Sequence, residues 1–219
     1  MTYPPAPWTL KGYAFQTLQL VNVEQASNFI PSELEILSVL PGKTLGGIYI
    51  SCYESGSLLT YNELIVVPGF VRYQGKIGVW VSHIYVDNQD SVAGGREIWG
   101  LPKEMANFSW DNSSARVSQN NRELCNLRYQ KGLFNFSTWW KQGFNGSAFS
   151  GLGSELLSFE SQFKSQVSLV EGNLEIPQAS PFKSLNLDKP LCTFNLQNLE
   201  LIAGVPKIVG QKAVKYSYT

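Results

Sequence analysis

At 219 residues the chain can hold one domain with a substantial core, or at most two small ones. Lysine plus arginine and aspartate plus glutamate balance at 17 each, and no basic run interrupts that balance, so binding to nucleic acid or an acidic membrane surface is not expected. Charged residues make up only 16% of the chain and aromatics 13%, a balance that favours a large closed core or subunit contacts to limit exposed apolar area.

Cys52, Cys125 and Cys192 are far apart and His83 is the only histidine. No metal site is therefore expected, and each cysteine reads as a small buried hydrophobe in a reducing compartment. The opening Met-Thr-Tyr-Pro-Pro-Ala-Pro-Trp has neither the basic start nor the apolar stretch of a signal peptide. No window approaches the roughly 18 apolar residues of a membrane span. A soluble, cytoplasmic, non-membrane-spanning protein is the expectation.

Along the chain, Tyr13 to Val23 alternates as a half-buried strand does, and Gln25 to Ile30 predicts a short helix stopping before Pro31. Leu45 to Tyr53, Glu63 to Tyr73 and Lys76 to Val86 are rich in Ile, Val and Tyr and predict strands. Pro68-Gly69 marks a bulge or bend in the second, and Gln74-Gly75 a tight turn into the third. Ala106 to Asp111, Ala115 to Gln119 and Arg122 to Gln130 predict further short strands joined by Asn-Ser and Asn-Asn turns. Trp139 to Gly153 mixes aromatics with four glycines and predicts a loop over a pocket, or a surface excursion. Val167 to Ile176 and Thr193 to Ile202 predict closing strands. Together these predict a mainly β domain over 1–219, with few short helices and an antiparallel sheet that is closed or strongly curved.

The chemistry concentrates in Gly94-Gly95-Arg96-Glu97-Ile98-Trp99-Gly100-Leu101-Pro102-Lys103-Glu104. The paired glycines let the backbone turn freely, and Pro102 fixes the chain just before Lys103. Lys103 is flanked by Leu101, Pro102, Met105 and Phe108, as either a snorkelling surface lysine or a partly desolvated one.

Gly-Arg-Glu followed closely by Pro-Lys resembles the acetoacetate decarboxylase family. The start Pro-Pro-Ala-Pro-Trp with Leu10-Lys11-Gly12, the segment Ile30 to Glu35, Tyr61-Asn62-Glu63-Leu64 and Tyr85-Val86-Asp87 are similar to that family in order and spacing. The resemblance implies a cone-like β-barrel, often within a homo-oligomer, with Lys103 as a Schiff-base nucleophile toward a small keto acid. It implies no cofactor. Glu63 matches a cavity glutamate that could orient substrate or move a proton. Arg96 could bind a substrate carboxylate, or form a buried pair with Glu97 or Glu63 that organises the loop. Leu101 takes the place of an aromatic that precedes Pro-Lys in the decarboxylases, and with Trp99 it is expected to line the substrate site. A second cavity carboxylate of the family falls at or near Ile48.

A lysine with an ordinary pKa near 10.4 is ammonium at neutral pH and cannot attack a ketone. Decarboxylases of this family place a second lysine after the nucleophile; Glu104 stands there in this sequence. Successive strand residues point to opposite faces, so Glu104 can lie outside while Lys103 points inward, and desolvation rather than a neighbouring cation would free the amine. The resemblance thus implies a lysine-dependent carboxy-lyase acting on an acetoacetate-like β-keto acid. Aldol or dehydration chemistry on another keto acid is the alternative within the same site. Plant proteins associated with neoxanthin formation also resemble the chain, through Thr44 to Gly47 and Glu63 to Val66, which implies a third reading: a non-catalytic barrel binding an apolar ligand such as a carotenoid or lipid. His83 reads as a structural strand residue rather than a general base.

Overall fold

The computed structural model describes residues 3–130 and 142–212. Strand β1 (Trp8–Asn22) runs into a short helix, α1 (Val23–Ser27), whose start is capped by the Asn22 side chain accepting from the Glu24 amide. After the two-residue β2 (Glu35–Ile36) come β3 (Lys43–Tyr53) and β4 (Tyr61–Val67). Pro68-Gly69 ends β4, and β5 (Phe70–Tyr73) follows. Gln74 and Gly75 take positive φ angles of 48° and 79°, as a two-residue hairpin into β6 (Lys76–Trp80) requires. β7 (His83–Val86) leads to helix α2 (Gln89–Trp99) and then β8 (Lys103–Met105). β9 (Asn107–Trp110), β10 (Ser114–Gln119) and β11 (Arg122–Gln130) form a meander, with Asn120 and Asn121 at positive φ in its second turn. β12 (Gln142–Leu152), β13 (Glu155–Glu175), a 3-10 turn at Lys183–Leu185, β14 (Cys192–Ala203) and β15 (Lys207–Gln211) complete the elements of the described residues.

All fifteen strands join one sheet, whose main path runs β2-β5-β6-β12-β13-β14-β1-β3-β4-β7-β8. Pairing is antiparallel except between β6 and β12 and between β7 and β8. The path ends at β2 and β8, which do not pair with each other. Among the described residues the sheet is therefore open: of the closed or strongly curved sheet expected from the sequence, the closed form, and with it the barrel that the resemblance implies, is not found. Ending a sheet in strands of two and three residues offers little unpaired backbone to another chain, so the edges are managed without closure.

Two other expectations change. The segment after Asp87, expected as a helical turn or a loop, is a full 11-residue α-helix. From residue 142 onward the expected glycine-rich loop is β12, paired with β13 along its whole length; Trp139 and Trp140 lie outside the described residues. Glycines lower strand propensity, but the long β13 supplies a continuous hydrogen-bonding partner, and Phe149 is fully buried.

Both faces of the sheet are covered. Ile48 and Ile50 of β3 pack with Phe15, Leu64, Val66 and Leu127 in one apolar cluster. Tyr49 and Tyr53, on the opposite face of the same strand, pack with Trp8, Tyr61, Val86 and Trp99 in another. Ile48, at or near which the resemblance puts a second family carboxylate, thus belongs to the first cluster. His83 stays structural: its ring lies 5.5 Å from that of Phe29 and 5.6 Å from that of Phe182. Burial lowers its pKa from the ordinary value, against an opposing pull from Glu104.

α2 ends at Gly100, in the left-handed region at φ 61°. A Cβ there would sit 2.7 Å from the Gly151 carbonyl carbon on β12. Gly100→Ala is expected to lower stability by at least about 1–2 kcal/mol, from the left-handed backbone alone, read as a lower urea midpoint; an unchanged midpoint would show that neither the left-handed helix end nor its close approach to β12 is required.

Candidate active site

Alternation on β8 turns Lys103 inward and Glu104 outward. Lys103 is 3% exposed, whereas Glu104 is exposed and accepts from the Gln119 side-chain amide at 2.8 Å. β8 lies parallel to β7 with Ile84 beside Lys103, and β7 pairs with β4 so that Val86 stands beside Glu63. That register brings two residues forty positions apart onto one face. Lys103 Nζ is 2.8 Å from Glu63 Oε1, and Glu63 is also 3% exposed.

Lys103 Nζ also donates to Ser91 Oγ at 2.9 Å. Ser91 is in the first turn of α2, where its amide donates to the capping side chain of Asn88. Beyond these two bonds the amine faces aromatic rings: Nζ is 5.0 Å from the centre of the Tyr61 ring and 5.7 Å from that of Trp8. The other carboxylate oxygen, Glu63 Oε2, accepts from the Tyr53 hydroxyl at 3.0 Å, and Tyr53 and Tyr49 hydroxyls are 3.3 Å apart. Burial pushes the hydroxyls of Tyr49, Tyr53 and Tyr61 far above the ordinary phenol value, so all three keep their protons. Ser51 is fully buried and stands opposite Glu63 in the strand register.

The glycine pair of the motif serves close approach rather than turning. A Cβ on Gly95 would be 2.4 Å from Lys103 Cδ, and one on Gly94 would be 2.6 Å from the Trp8 ring. The bare face of α2 is thus what the lysine stem and the indole rest on. An open surface pocket lined by Cys52, Tyr53, Thr60, Tyr61, Asn62 and Asp87 shares its two tyrosines with the lysine site.

The acetoacetate decarboxylase family model matches residues 1–135, which include both Glu63 and Lys103. The chain belongs to the acetoacetate decarboxylase family. Over 107 residues it is 34% identical to the tomato (Solanum lycopersicum) Protein NEOXANTHIN-DEFICIENT 1, covering 49% of this chain and 36% of that protein. Over 109 residues it is 32% identical to Acetoacetate decarboxylase 3 of Mesorhizobium japonicum, covering 48% of this chain and 40% of that one. The matches thus span well under half the length of these relatives. A solved acetoacetate decarboxylase from Legionella pneumophila superposes with a TM-score of 0.71 at 17% identity, over 96% of this chain and 90% of the other. The enduracididine biosynthesis enzyme MppR, complexed with pyruvate, gives 0.69 at 13% identity, over 95% and 92%. These likenesses establish a shared fold.

Within this family member the expected site residues are not all gathered at the amine. Trp99 is buried in the cluster that surrounds Lys103, edge-on to Trp8 with ring centres 4.8 Å apart, and its indole N–H donates to the Gly204 carbonyl at 2.8 Å. Leu101 is half-buried against the same cluster. Arg96 differs from the buried pairing expected of it: it is exposed and forms no ion pair with any described residue. Its Nε instead donates to the Lys103 carbonyl at 2.7 Å, tying the end of α2 to β8. Among the described residues no group of three or more His, Cys, Asp or Glu could hold a metal ion, and no helix is long and apolar enough to cross a membrane.

Sequence reasoning missed Trp8, Tyr49, Tyr53 and Ser91. Tyr49-x-Ser51-x-Tyr53 opposite Tyr61-x-Glu63 repeats at period two and could have marked a polar, aromatic inner face. Ser91 and Trp8 carried no such signal. Removing one partner of a buried pair strands the other, so Lys103→Ala and Glu63→Ala should each cost about 3–5 kcal/mol. The double variant should cost clearly less than their sum in urea unfolding, whereas additive losses would show that the two charges are not coupled.

Proposed function

We propose that the chain is a lysine Schiff-base lyase whose nucleophile is Lys103 and whose proton carrier is Glu63, acting on a small β-keto acid of the acetoacetate type. One observation carries this reading: the Lys103 amine is held out of water, 2.8 Å from a carboxylate, bonded to Ser91 Oγ and beyond those two contacts facing aromatic rings. A snorkelling surface lysine would keep its ammonium in solvent; this one has a proton acceptor in contact.

Glu63 takes a proton from the Lys103 ammonium, and the freed amine adds to the ketone carbon as the carbonyl π bond opens onto oxygen. Two protons leave nitrogen in all, and both reach that oxygen, which departs as water and leaves a protonated imine. The iminium withdraws the electron pair of the breaking C–C bond, so carbon dioxide leaves and an enamine forms. Protonation at carbon and hydrolysis then release the ketone and restore the ammonium. The iminium is itself the electron sink, so the chemistry needs no cofactor. The apolar surroundings favour the step, because a carboxylate moved from water beside Glu63 is destabilised relative to neutral carbon dioxide.

A second reading, a non-catalytic site for an apolar ligand, is favoured by the cluster of Trp8, Tyr61, Val86 and Trp99 around the pair and by the similarity to the tomato protein. Aldol or dehydration chemistry through the same imine is the other outcome to be tested.

Incubation with acetoacetate or pyruvate and borohydride should add one substrate-sized mass at Lys103, located by peptide mass spectrometry, and Lys103→Ala should give none. A folded parent that forms no adduct with any of a panel of keto acids would overturn the Schiff-base reading. Release of carbon dioxide from acetoacetate separates decarboxylation from the other imine chemistries.

A further inference from the structure

The Schiff-base reading asks Glu63 to collect two protons from Lys103 and return them to the substrate oxygen, which requires one carboxylate oxygen to stay against the amine. A free carboxylate in a protein interior can rotate about its last bond. Here the far oxygen, Oε2, is bonded to the Tyr53 hydroxyl at 3.0 Å while Oε1 meets Lys103 Nζ at 2.8 Å. The phenol hydrogen is therefore committed to Glu63. The hydroxyl contact of 3.3 Å between Tyr53 and Tyr49 must then have Tyr49 as donor, with the Tyr53 oxygen accepting. Both tyrosines project from the same face of β3, four residues apart, and are 6% and 2% exposed respectively. Tyr49 donates to Tyr53 and Tyr53 to Glu63, so the chain points one way and ends on the carboxylate.

We propose that Tyr53, held in turn by Tyr49, is the positioning residue that keeps Glu63 Oε1 on the Lys103 amine and so sets the rate of imine formation. Tyr53 acts only through Glu63; no proton passes through it in the cycle. The inference rests on the Schiff-base reading above and adds to it a pair of residues outside the Gly-Arg-Glu and Pro-Lys motif.

The test is the single-turnover rate of borohydride-trapped adduct formation at Lys103 with acetoacetate, measured on the full chain over a range of substrate concentrations. Loss of a hydrogen bond to a charged group corresponds to about a ten- to hundredfold change. Tyr53→Phe is expected to slow the maximal rate by that factor and leave the half-saturating concentration unchanged. Tyr49→Phe should slow it less. In a Glu63→Gln background, Tyr53→Phe should cause no further loss. Trapping by Tyr53→Phe at the parental rate, or an equal additional loss in the Glu63→Gln background, overturns the proposal. Should Tyr53→Phe fail to fold, as read by circular dichroism and its urea midpoint, Tyr49→Phe with and without Glu63→Gln decides the question by the same criterion. A parent chain that forms no adduct at all overturns the Schiff-base reading, and this inference with it; a parent that reacts while the tyrosine variants match it overturns the positioning role alone.

Discussion

Two opposite charges 2.8 Å apart and almost wholly removed from water are what the rest of this structure is arranged around. Desolvating an ammonium or a carboxylate costs several kcal/mol even after relaxation, and their attraction offsets this only when both are also well hydrogen-bonded. Lys103 and Glu63 meet that condition through Ser91 and Tyr53. Apolar residues of similar volume would fill the same space at no such cost. Stability alone therefore does not account for the pair.

Three elements far apart in sequence deliver the pair. β4 carries Glu63, β8 carries Lys103, and β7 between them sets the register that brings the side chains together. α2 covers the assembly, and its two glycines remove the side chains that would otherwise fill the space occupied by the lysine stem and the Trp8 indole. The same helix holds Ser91 at its start and Arg96 near its end, so one element touches the lysine at both amine and backbone. The cost of this arrangement is rigidity at Gly94, Gly95 and Gly100, where a single methyl meets backbone or packed side chains.

The motif residues most easily read from sequence play unequal parts in space. Lys103 and Glu63 come together. Arg96, prominent in the motif and charged, lies exposed and braces the Lys103 carbonyl. Charge alone could not separate these outcomes, because the turn of α2 decides which way position 96 faces, and the paired glycines leave the sequence open between a helical turn and a loop. The stretch from 142 to 152 departs from the expected loop for a related cause: glycine content describes what a segment prefers alone, whereas β13 offers it a partner along its full length. In the same way, low surface charge is answered by burying both faces of the sheet rather than by closing it.

By itself, the sequence determined the mainly β character, the hairpin turns at Gln74-Gly75 and Asn120-Asn121, the family, and the opposite orientations of Lys103 and Glu104. These are local properties, set by alternation, by turn chemistry and by short motifs in order. Only the tertiary structure decided that Glu63 would be the partner of Lys103, that Tyr53 and Tyr49 would stand behind it, and that Ser91 and the Trp8 ring would complete its surroundings. Those contacts depend on strand register and on the packing of α2 across the sheet, which sequence spacing does not encode.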